Sequence, residues 1–123
     1  MLKNLFSEGK IGDLVIANRL VVPAMVTNYC NEDGTASEEY IAYHEAKAKG
    51  GWGLIITEDY VVDPAGKGFS CVAGLWGDHQ IESHSELTKR IHKYDSKIFA
   101  QIYHCGRQTT SKSNGNRKIV APS

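Results

Sequence analysis

The chain has 123 residues, and its 14 basic and 14 acidic side chains cancel at pH 7; the length suits one compact domain, and the even charge gives no electrostatic ground for a nucleic acid or an anionic membrane as partner. No apolar run approaches the roughly 20 residues of a membrane span, and Met1-Leu2-Lys3-Asn4-Leu5-Phe6 lacks the apolar core of a signal peptide. The three cysteines, Cys30, Cys71 and Cys105, have neither metal-site spacing nor a disulfide framework, so a reducing cytoplasm is the expected compartment.

Residues 1–12 read as a lead-in whose Leu2, Leu5, Phe6 and Ile11 would plug one end of a core, with Gly9 and Gly12 as turns. Residues 13–16 fit a small hairpin arm. The stretch Asn18-Arg19-Leu20-Val21-Val22-Pro23-Ala24-Met25-Val26-Thr27 organises the rest of the chain. Its apolar run at 20–22 is too short for a helix and rich in β-branched residues, which predicts a buried strand. Pro23 then removes one backbone donor and fixes φ at about −65°. A strand that stops at proline and small residues offers its open end to something flat.

Residues 28–37 form a polar loop with an Asp33-Gly34 turn. Ser37 is a good N-cap, and Glu38 and Glu39 follow where the helix dipole favours acids. Tyr40, Ile41, Tyr43, His44 and Ala48 predict an amphipathic helix to about Lys49, ended by Gly50-Gly51. Leu54-Ile55-Ile56-Thr57 is the second predicted strand, stopping at Glu58-Asp59. Residues 59–76 are a long loop with Pro64, Gly66, Gly68 and Gly74, and such a loop is usually functional or disordered. Asp78 or Ser83 would cap a second helix running to about Tyr94 through Ile81, Leu87 and Ile91. Lys97-Ile98-Phe99-Ala100-Gln101-Ile102-Tyr103 is the third strand, with a polar end over 101–107. The Ser/Thr/Asn/Gly/Lys-rich residues 108–117 read as a flexible loop.

The order β-α-β-α-β, with continuous apolar strands, predicts a parallel sheet joined by right-handed crossovers and covered on both faces. No glycine-rich phosphate loop joins a strand to a helix, which disfavours a dinucleotide-binding unit. The same order builds the start of a (β/α)8 barrel, which needs about 250 residues. The expected fold is therefore α/β, a partial TIM barrel of roughly the first three βα units.

Three motifs coincide in order and spacing: Phe6 with Ile11-Gly12, Ile16-Ala17-Asn18-Arg19 and Val22-Pro23-Ala24-Met25; Gly50-Gly51-Trp52-Gly53-Leu54-Ile55-Ile56-Thr57-Glu58; and Gln101-Ile102-Tyr103-His104-Cys105-Gly106-Arg107. Together they resemble the N-terminal part of the old yellow enzyme family, and most closely its NADH:flavin oxidoreductase branch that includes 2,4-dienoyl-CoA reductases. The resemblance covers nearly the whole chain. It implies that residues 1–123 are the N-terminal part of a TIM-barrel domain with FMN at the C-terminal ends of its strands. It also implies NAD(P)H as reductant and an activated alkene as substrate of the complete enzyme. Pro23, Ala24, Met25 and Val26 match the segment lying against the flavin ring. Asp59 matches a position beside the flavin that is often small in the family. Gln101 matches the glutamine that hydrogen-bonds the pyrimidine edge. A planar ring wants apolar contact on its face and amide partners at its edge, and glutamine supplies both donor and acceptor.

The sequence departs from the family at two of these positions. Where Val26 stands, the family often carries Thr, Cys or His, and valine has no side-chain hydrogen bond to offer; the neighbouring Thr27 would substitute, as in the reductase branch, unless strand alternation points it away. Asp59 adds a carboxylate that would oppose an anionic reduced flavin. The family's substrate-binding histidine, proton-donating tyrosine, flavin-contacting arginine and phosphate loops match nothing in these residues, so no catalytic residue is assigned.

Plainer readings stand beside these. Gln101 fits a strand-end amide, Met25 a core residue, and Glu58 a brace for the strand end. His104 and Arg107 fit an active-site pair or a backbone-satisfied histidine with a loop-fixing arginine. His44, His79, His84 and His92 lie on or beside helices and are expected at the solvated surface. Cys105 has no partner ligands or triad. The expected function is the N-terminal portion of an FMN-dependent ene-reductase-like oxidoreductase, inactive alone and self-associating through open strand edges. The alternative is a non-catalytic fragment or interaction module without bound flavin. A third possibility, another flavin- or phosphate-binding TIM-barrel enzyme, is opposed by Asn18-Arg19 and residues 104–107.

Overall fold

The computed structural model describes residues 2–122. It opens with an antiparallel hairpin, β1 (Gly9–Ile11) on β2 (Leu14–Ile16), separate from the main sheet. Then come β3 (Val21–Val22), α1 (Glu38–Lys49), β4 (Leu54–Val61), α2 (Ile81–Ile91) and β5 (Lys97–Tyr103). The three later strands form a parallel sheet in the order β3-β4-β5. No helix among the described residues is long and apolar enough to cross a membrane.

The predicted start of α1 is realised, with Tyr40 N donating to Ser37 Oγ at 3.1 Å. Its buried stripe is Tyr40, Ile41, His44 and Ala48. At its end Gly50 stays in the right-handed region and Gly51 takes the left-handed φ of 86°. The start of α2 differs from expectation, since neither Asp78 nor Ser83 caps it. A single 3-10 turn, Asp78–Gln80, leads in, and buried Gln80 takes the place of a cap. Its Oε1 accepts from Trp76 N at 2.9 Å and Gly77 N at 3.2 Å, while its Nε2 donates to Asp33 O at 2.8 Å. The helix ends at Ile91, and a hydrogen-bonded turn carries the chain to Tyr94. Arg90 joins the two helices by bridging Glu38, at 2.7 Å, and Glu45.

The core lies between the helices and one face of the sheet, where Val22, Ile55 and Ile98 meet Tyr40, Leu87 and Ile91. The other face is not covered by helices of this chain, in contrast to the two-sided cover expected. Asn18 sets the sheet's N-terminal edge. Its Oδ1 accepts from Leu20 N at 3.0 Å and Gly53 N at 3.1 Å, and its Nδ2 donates to Gly51 O at 2.8 Å. One side chain thus ties the start of β3 to the turn that launches β4.

Four expectations are corrected. The second strand does not stop at Glu58-Asp59 but runs to Val61, because β5 pairs with residues 59–61 and the following loop folds back onto Val61. Val61 N donates to Ala73 O at 2.9 Å, and Leu75 N to Val61 O at 2.8 Å. Residues 108–117 are not a free loop: Thr109 and Asn114 are buried, the Thr109 hydroxyl donates to Lys67 O, and Asn114 Nδ2 donates to Arg117 O at 3.0 Å. Leu2, Phe6 and Ile11 do not plug a core but are exposed, since the dry layer lies on the helix side of the sheet. Of the four histidines expected at the surface, His44 is buried and His84 is half-buried, its Nε2 donating to Gly34 O (3.0 Å) and its Nδ1 hydrogen-bonded to Tyr60 Oη (3.0 Å); His79 and His92 are exposed.

His44 is 2% exposed, and neither ring nitrogen has a partner among the described residues. Tyr40 and Tyr43 meet it edge-on at 4.7 and 5.1 Å between ring centres. Burial pulls its pKa from 6.5 down to about 4, with the charge of Lys47 acting the same way. The fold therefore holds the ring neutral. Its contribution is complete above the unfolded pKa and is lost as pH falls from 6.5 toward 4. The difference in unfolding free energy between the native chain and His44→Phe should shift by about 3 kcal/mol between pH 7 and pH 4, to the native chain's loss. Urea melts at the two pH values measure this, and parallel pH profiles would contradict it.

Candidate functional site

The C-terminal ends of β3, β4 and β5 lie side by side, and the predicted site residues gather there. In the first register row Val22 faces Ile55, and Ile55 faces Ile98; all three point to the helix-side core. Alternation therefore sends Leu54 and Ile56, with their partners Val21 and Phe99, to the opposite face.

Between Ile56 and Asp59 the register shifts. β4 uses three steps where β5 uses two, from Phe99 to Gln101. The extra residue is a β-bulge at Thr57 and Glu58, both 1% exposed. Its consequence is a change of face. Without it Glu58 would share the inner face with Gln101; with it Asp59 pairs with Gln101 there.

Glu58, turned away from that face, accepts the Thr27 backbone N–H through Oε2. This ties the end of the 23–27 segment to the middle strand. Its Oε1 is buried without a partner among the described residues. Burial is the main cause that raises its pKa, against the lowering effect of the Thr27 bond. The plain expectation that Glu58 braces the strand end is met.

Of the predicted residues, Pro23, Met25, Val26 and Gln101 are exposed, while Ala24 and Asp59 are half-buried. Met25 is 63% exposed, unusual for a thioether next to a core and not the packing of a core residue. The Gln101 carboxamide has no partner among the described residues. Burial pushes the Asp59 carboxyl above its ordinary value. The Thr27 hydroxyl accepts from Tyr29 N at 3.4 Å and so serves its own loop. An apolar, solvent-facing strip beyond β3 and an unpartnered amide on β5, with β4 between them, are chemistry that fits a planar ring with a polar edge.

His104 and Arg107 do not form a pair. His104 Nδ1 accepts from Gly106 N at 3.0 Å, which places the proton of a neutral ring on Nε2. The ring lies against Gly66, where an added Cβ would stand 2.4 Å from His104 Cδ2. Glycine at 66 is thus required by this loop-on-loop contact. Sequence reasoning missed the bulge and the buried state of Glu58. The only local signal was the run Thr57-Glu58-Asp59, two adjacent acids following an apolar strand.

Residues 4–123 match the family described as NADH:flavin oxidoreductase / NADH oxidase. The chain is 50% identical to an NADH oxidase of Thermoanaerobacter brockii over 121 residues, 98% of this chain and 19% of the relative. It is 33% identical over 124 residues to an NADPH dehydrogenase of Bacillus subtilis, covering 100% of this chain and 36% of that protein. The chain therefore spans about a fifth to a third of these relatives. Among solved structures, a 2-naphthoyl-CoA reductase in complex with 2-naphthoyl-CoA superposes with a TM-score of 0.89 at 28% identity, over 94% of this chain and 18% of the other. An old yellow enzyme homologue from Zymomonas mobilis gives 0.86 at 29% identity, over 98% and 33%.

Glu58 gives the site a pH signature. A carboxyl whose pKa rises on folding stabilises fully below its unfolded value of 4.5, and that stability is lost as pH rises through the folded value. Glu58→Gln keeps an oxygen for Thr27 N–H without the charge. It should therefore gain on the native chain as pH rises above 4.5. Glu58→Ala, which strands that N–H, should cost about 1–3 kcal/mol. Chemical denaturation at pH 4 and pH 8 decides; a Glu58→Gln difference that does not change with pH would contradict the assignment.

Proposed function

The chain belongs to the NADH:flavin oxidoreductase / NADH oxidase family, and from that membership we propose that it supplies the first part of the FMN-binding face of an enzyme reducing activated C=C bonds. The family uses FMN and NAD(P)H, and the α/β architecture is that of part of an old yellow enzyme TIM barrel. The observation that carries the proposal is the pairing of Asp59 with Gln101 on the open face, at the same end of the sheet as exposed Met25 and Val26, which follow β3. These groups stand at the strand ends where barrel enzymes hold their sites.

When bound, FMN supplies hydride transfer from NAD(P)H to the β-carbon of an activated alkene. The 23–26 segment offers the ring an apolar surface, and Pro23 brings no N–H that the ring would leave unsatisfied. The Gln101 carboxamide both donates and accepts at the ring's polar edge. Asp59 sits on the same face, and its raised pKa moves it toward the neutral form. That lessens the charge it would set against reduced flavin. Glu58 is a positioning residue, holding Thr27 and hence the segment under the ring. The proton that completes the reduction is assigned to no residue of this chain.

A second feature favours self-association of the isolated chain whether or not flavin binds. β3 and β5 each have one edge without a strand partner among the described residues. Apolar side chains remain open around them, Val21 at 37%, Phe99 at 39% and Ile102 at 63% exposure. Edges of this kind invite pairing with another copy.

Flavin fluorescence quenching should show saturable FMN binding, weakened about tenfold in Gln101→Ala by loss of the edge hydrogen bonds. Equal affinity in the variant would remove Gln101 from the site. The isolated chain should turn over no enone with NADH; steady turnover would overturn that expectation. In sedimentation velocity it should run as oligomers, with Ile102→Lys shifting them toward monomer. A monodisperse native monomer would refute the self-association.

A further inference from the structure

The loops beyond β3, β4 and β5 also enclose a cavity of about 230 Å³, lined by none of the candidate flavin residues. Its wall carries three cations, Lys67, Lys112 and Arg117, together with the hydroxyls of Ser70 and Ser113. Glu32 is the one acid of the lining, which leaves two net positive charges. The ion pairs among the described residues involve only Lys89 and Arg90, so none of the cavity's cations is paired with a carboxylate there.

Lys67 is 8% exposed. Its Nζ donates to Glu32 O at 2.8 Å and stands 5.8 Å from the Trp76 ring. An ammonium has three donors, so this carbonyl leaves two for a ligand. A cation buried without a counter-charge is costly. Burial accordingly holds the Lys67 pKa below the ordinary lysine value, against the raising effect of Cys71 and Glu32, and Arg117 adds to the lowering. Arg117 is itself held in place. Its backbone N donates to Asn114 Oδ1 at 3.1 Å and its Nη1 to Asn114 O at 3.0 Å, with Asn114 fully buried. The Thr109 hydroxyl ties the same segment to Lys67 O. Two of the three charges are therefore set in a fixed frame before any ligand arrives.

We propose that this cavity is an anion subsite that takes the phosphomonoester of a nucleotide-bearing substrate or co-reactant. A phosphate dianion would draw charge-assisted hydrogen bonds from Lys67, Lys112 and Arg117. The flavin's own phosphate does not suit the position. In (β/α)8 barrels a phosphate site is frequently built by the loops after strands 7 and 8, whereas this cavity is formed beyond the three parallel strands described. Two sources share the required chemistry, the ribose 2′-phosphate of NADPH and the ribose 3′-phosphate of a coenzyme A thioester. The choice of these two rests on the oxidoreductase reading; the anion site itself does not.

Calorimetric titration of the protein with inorganic phosphate, 2′-AMP and adenosine 3′,5′-bisphosphate tests the proposal. Phosphate should bind weakly and at least one nucleotide about tenfold more tightly, the preferred one naming the source. Lys112→Gln, an exposed residue whose loss leaves the frame intact, and Arg117→Gln should each weaken binding about tenfold. Circular dichroism checks that both variants remain folded. Absence of binding by all three probes, or affinity unchanged in Lys112→Gln, overturns the site. A riboflavin titration of the same sample, with the flavin ring but without FMN's phosphate, separates the two readings. Riboflavin binding without phosphate binding refutes only the anion subsite. Phosphate binding without riboflavin binding refutes only the flavin face.

Discussion

The bond from Thr27 N–H to the buried carboxyl of Glu58 is the contact on which the open face depends. It holds the chain leaving β3 against the central strand after Pro23 has ended regular pairing. It is possible only because the bulge at Thr57 and Glu58 turns Glu58 off the inner face. The same bulge brings Asp59 round to Gln101. One inserted residue therefore both anchors the 23–27 segment and selects which acid faces the uncovered side. The cost is a half-satisfied carboxyl in a dry place, which explains the direction of its pKa shift.

The strand ends are then made firm by loops that pair with them and with each other. Residues 73–75 extend the ladder of β4, His104 seats on Gly66, and the Thr109 hydroxyl closes onto Lys67 O. Asn18 plays the corresponding part at the opposite end of the sheet. Several residues of the family motifs thus have plain structural duties: Asn18 sets strand start, and His104 packs a loop. Gln101, Met25 and Val26 have no such side-chain bond among the described residues, which leaves them free for the proposed flavin contact.

Much of this was legible locally. Ser37 with Glu38 and Glu39 announces α1 and the β-branched runs announce the strands, while the hairpin, expected over 13–16 with Gly9 as a turn, begins at Gly9, which pairs with Ile16. The features that escaped are those set by distant partners. The run Thr57-Glu58-Asp59 looks like a strand end, because its continuation relies on pairing with distant residues 101–103 of β5 and 73–75. Residues 108–117 look mobile by composition, yet their order comes from Lys67 and from the Asn114–Arg117 turn. His44 looks like a surface residue by type, although its spacing four residues after Tyr40 and four before Ala48 places it in the buried stripe. The candidate flavin residues were read from motif resemblance. That Asp59 and Gln101 share a face could be seen only once the bulge was known.

The measurement that tests the central claim most directly is nuclear Overhauser contact between FMN ring protons and assigned side chains. A flavin on the open face should give contacts to the Met25 methyl and Val26, with a shifted Gln101 side-chain amide. Ring contacts confined to the helix side of the sheet, or a flavin whose ring touches none of these three residues, would contradict it.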